Sequence, residues 1–132
     1  MTDDGGLRLL IVDDHDMSRS LLHAIINRSQ HSRLKGARTS DATSLAEARA
    51  ALAADRFDVV LLDVQLPDGS GLDLLTDLAA TRPCPIVIAL TGGVLPHQRA
   101  AALEAGCDAF LDKPFLADDL VNLLDKLASP SH

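Results

Sequence analysis

FDVVLLDVQLPDGSG, residues 57–71, runs from an apolar segment straight into a carboxylate and then into a turn. Residues 59–62 are continuously apolar rather than alternating, which is typical of a parallel strand that is covered on both faces. Asp63 follows at once, and the proline and glycines of residues 67–71 indicate a loop. A carboxylate inside a core costs several kcal/mol unless it is paired or binds a metal, whereas one at the open end of a strand is available for chemistry. We therefore predict that Asp63 is a functional group at the end of a buried strand.

Predicted strands and helices alternate along the whole chain. The strands are 7–12, 37–39, 59–62, 86–90 and 109–111. The helices, inferred from apolar positions at helical spacing, are 17–26, 44–52, 71–79, 96–105 and 116–127. The second helix begins at a capping box formed by Ser44 and Glu47. Apolar strands in a repeated β-α order predict an α/β fold, a five-stranded doubly wound parallel sheet of the flavodoxin-like order 2-1-3-4-5.

Length and composition limit what the chain can be. Its 132 residues suit a single domain, which we place over 1–132 with a core of about 7–127 and short tails. A net charge of −7 repels a phosphate backbone, and three Phe without Trp or Tyr offer little for base stacking, so we expect no nucleic-acid contact. No apolar run approaches the ~20 residues of a membrane span, and the first residues lack the apolar region of a signal peptide. We expect a cytoplasmic protein without membrane contact, in which Cys84 and Cys107 are free thiols.

The carboxyl ends of the predicted strands carry the candidate site residues. Asp13 and Asp14 follow the first strand, and Asp63 follows the third. Thr91 follows the fourth strand, and Lys113 follows the fifth. Ligands of doubly wound sheets bind beyond the carboxyl ends of the strands, so these side chains are expected to converge on one edge.

This combination of groups suits phosphoryl chemistry. Close carboxylates repel one another and require a cation or a shared proton, and a set of oxygen ligands favours Mg²⁺. The Thr91 hydroxyl and the Lys113 ammonium suit the remaining oxygens of a phosphoryl group. A carboxylate such as Asp63 can act as a nucleophile and form an aspartyl phosphate, a reaction that needs mainly positioning and charge neutralisation.

His15, directly after the acidic pair, invites a second interpretation. We interpret it as a solvent-facing loop histidine that tunes the local charge, and not as a metal ligand. The other histidines lie at no ligand spacing, so no zinc site is predicted.

Four motifs, taken in order and at their spacing, resemble the receiver domain of two-component response regulators. They are IVDD (11–14), DVQLPDGSG (63–71), IALTGG (88–93) and FLDKPF (110–115). The resemblance extends over about residues 7–127, and the segment 106–115 is similar to receivers fused to hybrid histidine kinases. It implies that Asp63 accepts a phosphoryl group from a phosphohistidine on a sensor histidine kinase or a histidine phosphotransfer protein.

The resemblance also implies a metal site. Asp14 would bind Mg²⁺ directly, together with Asp63 and the backbone carbonyl of Gln65. Asp13 would assist through a water molecule. Gln65 also occupies a position that influences the lifetime of the phosphoryl group in this family.

The resemblance further implies a switch. Thr91 would donate a hydrogen bond to the phosphoryl group, Lys113 would pair with it, and the bond between Lys113 and Pro114 would be cis. Phe110 would be an aromatic residue that rotates with the state of Thr91, through packing alone because it has no hydroxyl. Phosphorylation would reshape the face formed by the fourth helix, fifth strand and fifth helix, which would bind a partner or a second copy of the chain.

Three other functions compete with this interpretation. A dehalogenase-like phosphatase typically has an acid two residues after its nucleophile, where this chain has Gln65, and a cap domain for which there is no room. A flavin carrier would need stacking aromatics, and a degenerate receiver used as a scaffold would lack site residues that are all present here. We therefore expect no enzyme in the ordinary sense, only a protein that catalyses its own phosphorylation and dephosphorylation.

Overall fold

The computed structural model describes residues 7–28, 37–79, 85–91, 100, 103–104, 106–112 and 116–128. Its strands are β1 (Arg8–Val12), β2 (Arg38–Ala42), β3 (Val59–Asp63), β4 (Gln65–Leu66), β5 (Gly69–Ser70), β6 (Ile86–Thr91) and β7 (Ala109–Asp112). Its helices are α1 (Asp16–Arg28), α2 (Leu45–Ala54), α3 (Leu72–Ala79) and α4 (Ala117–Ala128). The predicted helix 96–105 lies mostly outside the described residues. Within the parts that the structure covers, the helices are too short or too polar to cross a bilayer.

The long strands form one parallel sheet in the order β2-β1-β3-β6-β7. When only these strands are numbered, this is the predicted order 2-1-3-4-5, and the predicted α/β doubly wound fold is confirmed. The backbone register pairs Asp63 of β3 with Leu90 of β6 and Thr91 of β6 with Asp112 of β7. The carboxyl ends of the strands therefore lie side by side at one edge.

Each face of the sheet is covered by its own apolar core. Leu10 and Leu62 point to the core shared with α2 and α3, whereas Leu9 and Leu61 point to the core shared with α1 and α4. Because β3 is buried on both faces, every one of its positions is apolar until the strand ends at Asp63. This two-sided burial is the physical reason for the uninterrupted apolar run in the sequence.

The predicted apolar face of α1 was only partly right. Leu22, Ile25 and Ile26 are buried as expected, but Met17 is 86% exposed and Leu21 is 43% exposed. The three buried residues are spaced i, i+3 and i+4, so they form one stripe of the helix that faces the sheet. Met17 and Leu21 lie outside this stripe.

The predicted capping box at the start of α2 is confirmed, with one difference. The Ser44 hydroxyl accepts a hydrogen bond from the Glu47 backbone N–H at 3.1 Å. The Glu47 carboxylate reaches back to the backbone N–H of Thr43 at 2.7 Å rather than to that of Ser44. This backbone hydrogen bond from Thr43 lowers the pKa of Glu47. The box therefore stabilises the turn before the helix as well as its first residues.

Of the two predicted free thiols, Cys107 lies among the described residues. It is a buried, free cysteine, and burial raises the pKa of its thiol. Such a thiol packs as a small apolar group rather than acting as a nucleophile.

Candidate functional site

Among the described residues, the buried polar and charged side chains all lie at the carboxyl ends of parallel strands. Asp13 is 0% exposed, Asp63 is 5% exposed and Thr91 is 1% exposed. Burial of a charged group is unfavourable unless a partner or a cation compensates it. Their concentration at one edge of the sheet therefore marks this edge as the candidate site.

The three predicted carboxylates come together in space. Oxygen atoms of Asp13, Asp14 and Asp63, with a ring nitrogen of His15, lie within 4.8 Å of one another. Asp13 and Asp63 are buried, and Asp14 is exposed at the rim. Hard oxygen donors at these separations match the preferences of Mg²⁺.

His15 faces solvent and also lies close to the carboxylates. Its Nδ1 atom lies 3.1 Å from Asp13 Oδ1 and 3.3 Å from Asp14 Oδ1. The same atom lies 3.7 Å from Asp63 Oδ2, although 65% of the ring is exposed. The expected solvent-facing position is thus confirmed, and the ring lies where it can influence the local charge. A turn brings His15 close to the acids, because the Asp13 carboxylate accepts a hydrogen bond from the backbone N–H of His15 at 2.9 Å.

Arg19 of α1 holds the loop that presents Asp13. Its guanidinium donates to the backbone carbonyl of Asp13 at 2.8 Å. It also pairs with Asp16, and its Nε lies 3.6 Å from Asp41 Oδ2 at the end of β2. The arginine therefore fixes the carboxyl end of β1 against its neighbouring strand, a role that was not predicted from the sequence.

The Asp63 carboxylate is oriented by the residue two positions later. The Gln65 backbone N–H donates to Asp63 Oδ1 at 3.0 Å, while Oδ2 lies on the side of His15. The Gln65 side chain itself is exposed. This hydrogen bond holds the Asp63 carboxylate in one orientation, with Oδ2 facing the space between the three acids and His15.

The segment after Asp63 forms a small hairpin rather than the predicted loop. Gln65 pairs with Ser70 and Leu66 pairs with Gly69 in an antiparallel ladder. The chain then returns to the strand end, where the Gly71 N–H donates to the carbonyl of Val64 at 2.8 Å. A Cβ atom on Gly71 would lie 2.1 Å from the Asp63 carbonyl oxygen, so glycine is required by the close approach.

Asp68, at the tip of this hairpin, caps α2. Its carboxylate accepts the backbone N–H of Leu45 at 2.8 Å and that of Ala46 at 3.2 Å. These are orphan donors of the first helical turn, and the charge also suits the positive end of the helix. The hairpin beside the site is therefore tied to a second helix.

We expect Asp68→Ala to lower the melting temperature by a few degrees at neutral pH, because the helix start loses an acceptor. The N–H of Leu45 holds the pKa of Asp68 below its ordinary value of 3.8. A carboxyl whose pKa is lowered by folding stabilises the protein above that ordinary value, and the contribution disappears as the pH falls through the folded-state pKa. The melting-temperature difference from wild type, followed by circular dichroism, should shrink below pH 3.8. A difference that does not change with pH would contradict this cap.

Thr91 is engaged by a residue that was not predicted to belong to the site. Its hydroxyl donates to Asp112 Oδ1 at 2.7 Å, across the register pair that joins β6 to β7. In the sequence, Asp112 is only one residue of the FLDKPF motif. The predicted strand ended at residue 111, and only the observed register, which pairs Thr91 with Asp112, shows that the two side chains are adjacent.

The remaining predicted site residues divide between described and undescribed positions. Phe110 is half-buried and packs against the core shared with α2 and α3. It also lines a groove of about 520 Å³ between β7 and α4, together with Asp112, Asp119, Asn122 and Lys126 among others. Lys113 and Pro114 lie outside the described residues, so their placement and the predicted cis bond stay predictions.

Known proteins are similar to this chain over nearly its whole length. The family described as "Response regulator receiver domain" matches residues 9–125. Sensory/regulatory protein RpfC of Xanthomonas campestris is 33% identical over 127 residues, which are 92% of this chain and 16% of that protein. Protein PetR of Rhodobacter capsulatus is 35% identical over 113 residues, which are 86% of this chain and 45% of that protein. The chain thus spans less than half the length of both curated relatives.

Two solved structures give the same result at the level of the fold. The first is the receiver domain of the sensor histidine kinase PA1611 of Pseudomonas aeruginosa, whose active-site cleft contains a coordinated magnesium ion. Its TM-score is 0.77 at 26% identity, over 92% of this chain and 96% of that one. The second is the beryllofluoride-activated dimer of the NtrC4 receiver domain. Its TM-score is 0.79 at 31% identity, over 92% of this chain and 94% of that one.

Proposed function

Because this chain belongs to the response regulator receiver domain family, we propose that it is a signalling switch in which Asp63 is the phosphoacceptor. Receiver domains act as signalling switches and not as classical enzymes. One observation carries the assignment of Asp63: a buried carboxylate that ends the central strand lies within 4.8 Å of two further carboxylates and a histidine. We place the receiver domain at about residues 7–127 of the single domain 1–132.

Magnesium fits the site. Asp14, Asp63 and the Gln65 carbonyl would hold Mg²⁺ directly, and Asp13 would assist through a water molecule. The fit rests on the donor chemistry, since the acids offer the hard oxygen atoms that Mg²⁺ prefers. A cation beside the buried Asp13 carboxylate would also stabilise its charge. When bound, Mg²⁺ neutralises the charge of the carboxylates and of an incoming phosphoryl group. The magnesium ion in the PA1611 receiver supports this part of the proposal.

The reaction needs little beyond positioning. A carboxylate oxygen of Asp63 attacks the phosphorus of a phosphohistidine on a sensor histidine kinase or a histidine phosphotransfer protein. The P–N bond breaks, the histidine nitrogen takes a proton, and an acyl phosphate forms on Asp63. The chain catalyses only this step and the later hydrolysis of its own acyl phosphate. The hydrogen bond from the Gln65 N–H supports the presentation of the nucleophile.

The proposed switch involves Thr91, Lys113 and Phe110. The Thr91 hydroxyl would donate to a phosphoryl oxygen, and Lys113 would pair with another. Phe110 would then repack and alter the face formed by residues 96–105, β7 and α4. That face would bind a partner protein or a second copy of this chain. The groove beside Phe110 supports a contact surface there, and the NtrC4 receiver dimer supports the second copy.

The proposed function also implies where the chain is located and which proteins it contacts. We place the chain in the cytoplasm, where a kinase-derived phosphoryl group is available, and expect no nucleic-acid or membrane contact by this domain. The PA1611 receiver, which belongs to a sensor histidine kinase, supports a hybrid kinase as one protein that could contain such a domain.

Incubation with acetyl phosphate tests the proposal without a cognate kinase. With Mg²⁺ present, intact-mass measurement should show one phosphoryl group on the chain. Chelation of the metal with EDTA should slow its formation by more than about tenfold, because the charges of the acids are no longer offset. Restoring Mg²⁺ in excess over EDTA is the control. The proposal would be lost if no adduct formed and beryllofluoride also failed to bind, and adduct formation at the same rate with EDTA would remove the role of magnesium.

A further inference from the structure

We propose that Asp112 is a positioning residue that holds the Thr91 hydroxyl and competes with the phosphoryl group for it. The inference rests on the proposed function, since it concerns the state of the site before Asp63 is phosphorylated. It assigns a role in the switch to the last residue of β7, where the sequence motif suggested none.

The geometry of the contact is well defined. The Thr91 side chain is buried, and its hydroxyl donates to Asp112 Oδ1 at 2.7 Å. That separation is ordinary for an O–H···O hydrogen bond, and an ionised carboxylate is a stronger acceptor than a neutral group. Both residues are paired in register within the parallel sheet, so the ladder and not a loop holds them together.

The competition follows from the chemistry of a hydroxyl group. A threonine hydroxyl carries one hydrogen and can donate only one hydrogen bond at a time. The proposed phosphorylated state uses that hydrogen for a phosphoryl oxygen, and the resting state uses it for Asp112. The two states therefore exclude each other, and the strength of the resting contact sets part of the cost of switching.

The contact also connects the site to the groove. Asp112 lines the groove between β7 and α4, together with Lys126 and Asp119. Loss of the Thr91 hydrogen bond on phosphorylation would change the hydrogen bonding of a carboxylate on that surface. Thr91 and Asp112 thus form one physical link between the phosphoacceptor and the face that the proposed function assigns to partners.

A double-mutant cycle tests the competition. Asp112→Ala and Asp112→Asn would be compared in the wild-type chain and in Thr91→Val, which replaces the hydroxyl with a methyl group. The readout is the beryllofluoride concentration that half-saturates the protein with Mg²⁺ present, followed by amide NMR shifts. We expect Asp112→Ala to lower this concentration by roughly tenfold in the wild-type background, because a charged acceptor no longer competes. Asp112→Asn, whose amide oxygen still accepts, should have a smaller effect.

The Thr91→Val background separates competition from simple electrostatics. There the Asp112→Ala change should have no effect, because no hydroxyl remains to be released. Asp118→Ala, an equal charge change on the exposed first turn of α4, should leave binding unchanged in both backgrounds. An Asp112→Ala effect that persists in Thr91→Val, or unchanged or weaker binding in the wild-type background, would overturn the proposal.

Failure of this inference is distinguishable from failure of the proposed function. A wild-type chain that forms the Mg²⁺-dependent adduct and binds beryllofluoride, with Asp112 variants that behave like it, would remove only the role of Asp112. A wild-type chain that does neither would remove both proposals. Thermal melting of each variant excludes loss of folding as the cause.

Discussion

Asp63→Asn should leave no phosphoryl adduct on the chain, however long it is incubated with acetyl phosphate and Mg²⁺. The carboxamide has nearly the same shape, and its oxygen still accepts the hydrogen bond that the Gln65 N–H donates to Asp63. It has neither the charge nor the nucleophilic oxygen of a carboxylate, so the acyl phosphate cannot form. We expect the variant to fold, since removing one of several clustered negative charges also relieves repulsion.

The measurement is the intact mass, followed by digestion to locate any modified peptide. Asp73→Asn is a matched control, because Asp73 is an exposed acid in the first turn of α3. This control should keep the adduct at its wild-type rate. An adduct on Asp63→Asn that maps to Asp13 or Asp14 would show that the phosphoacceptor had been assigned to the wrong carboxylate.

Gly71→Ala should destabilise the protein by about 3 kcal/mol, at the upper end of the range for overpacking. The added Cβ would lie 2.1 Å from the Asp63 carbonyl oxygen and 3.0 Å from its carbonyl carbon. These are backbone atoms at the end of the central strand, so no flexible side chain can move aside. The hairpin or the strand end must shift, and a shift there would also displace the Asp63 carboxylate. Urea unfolding gives the stability, and adduct formation per folded molecule gives the effect on the site.

Gly106→Ala adds the same methyl group in a different setting. Among the described residues, nothing lies within 4 Å of a Cβ at Gly106, but its φ of +119° is one that L residues rarely adopt. We expect a cost of about 1–3 kcal/mol from backbone strain alone, without loss of phosphorylation in the folded fraction.

If Gly71→Ala were as stable as wild type, or lost stability without any effect on Asp63, the proposed link between Gly71 and the site would be wrong.

The strands of the central sheet were readily predicted from the sequence. The apolar runs at 59–62 and 86–90 fell within a residue of β3 and β6, because a strand buried on both faces admits few polar residues. The edge strand β2 was harder. Its sequence, RTSDA, is mostly exposed, so it lacks the apolar signal, and the prediction of 37–39 covered only the first two of its five residues.

Other features depended on contacts between distant parts of the chain. The β4–β5 hairpin pairs only short segments and has no apolar run of its own, so the sequence indicated a loop. Asp68 showed no sign of being a cap, because the helix it caps begins 23 residues earlier in the chain. Exposure of Met17 and Leu21 depends on which side of α1 faces the sheet.

The α/β order, the parallel sheet, and the acids and hydroxyl at the described strand ends could all be predicted from residue types and their order along the chain. This was possible because buried strands must be apolar, and because parallel strands bring their carboxyl ends to one edge. How those groups are paired became known only from the folded chain. Nδ1 of His15 lies among the carboxylates, Gly71 packs against the Asp63 carbonyl, and the Thr91 hydroxyl is held by Asp112. Each of these pairings depends on strand register or on a turn that brings two backbones together. Hydrogen bonds form only within a narrow range of distance and direction, and residue spacing along the chain does not specify that geometry.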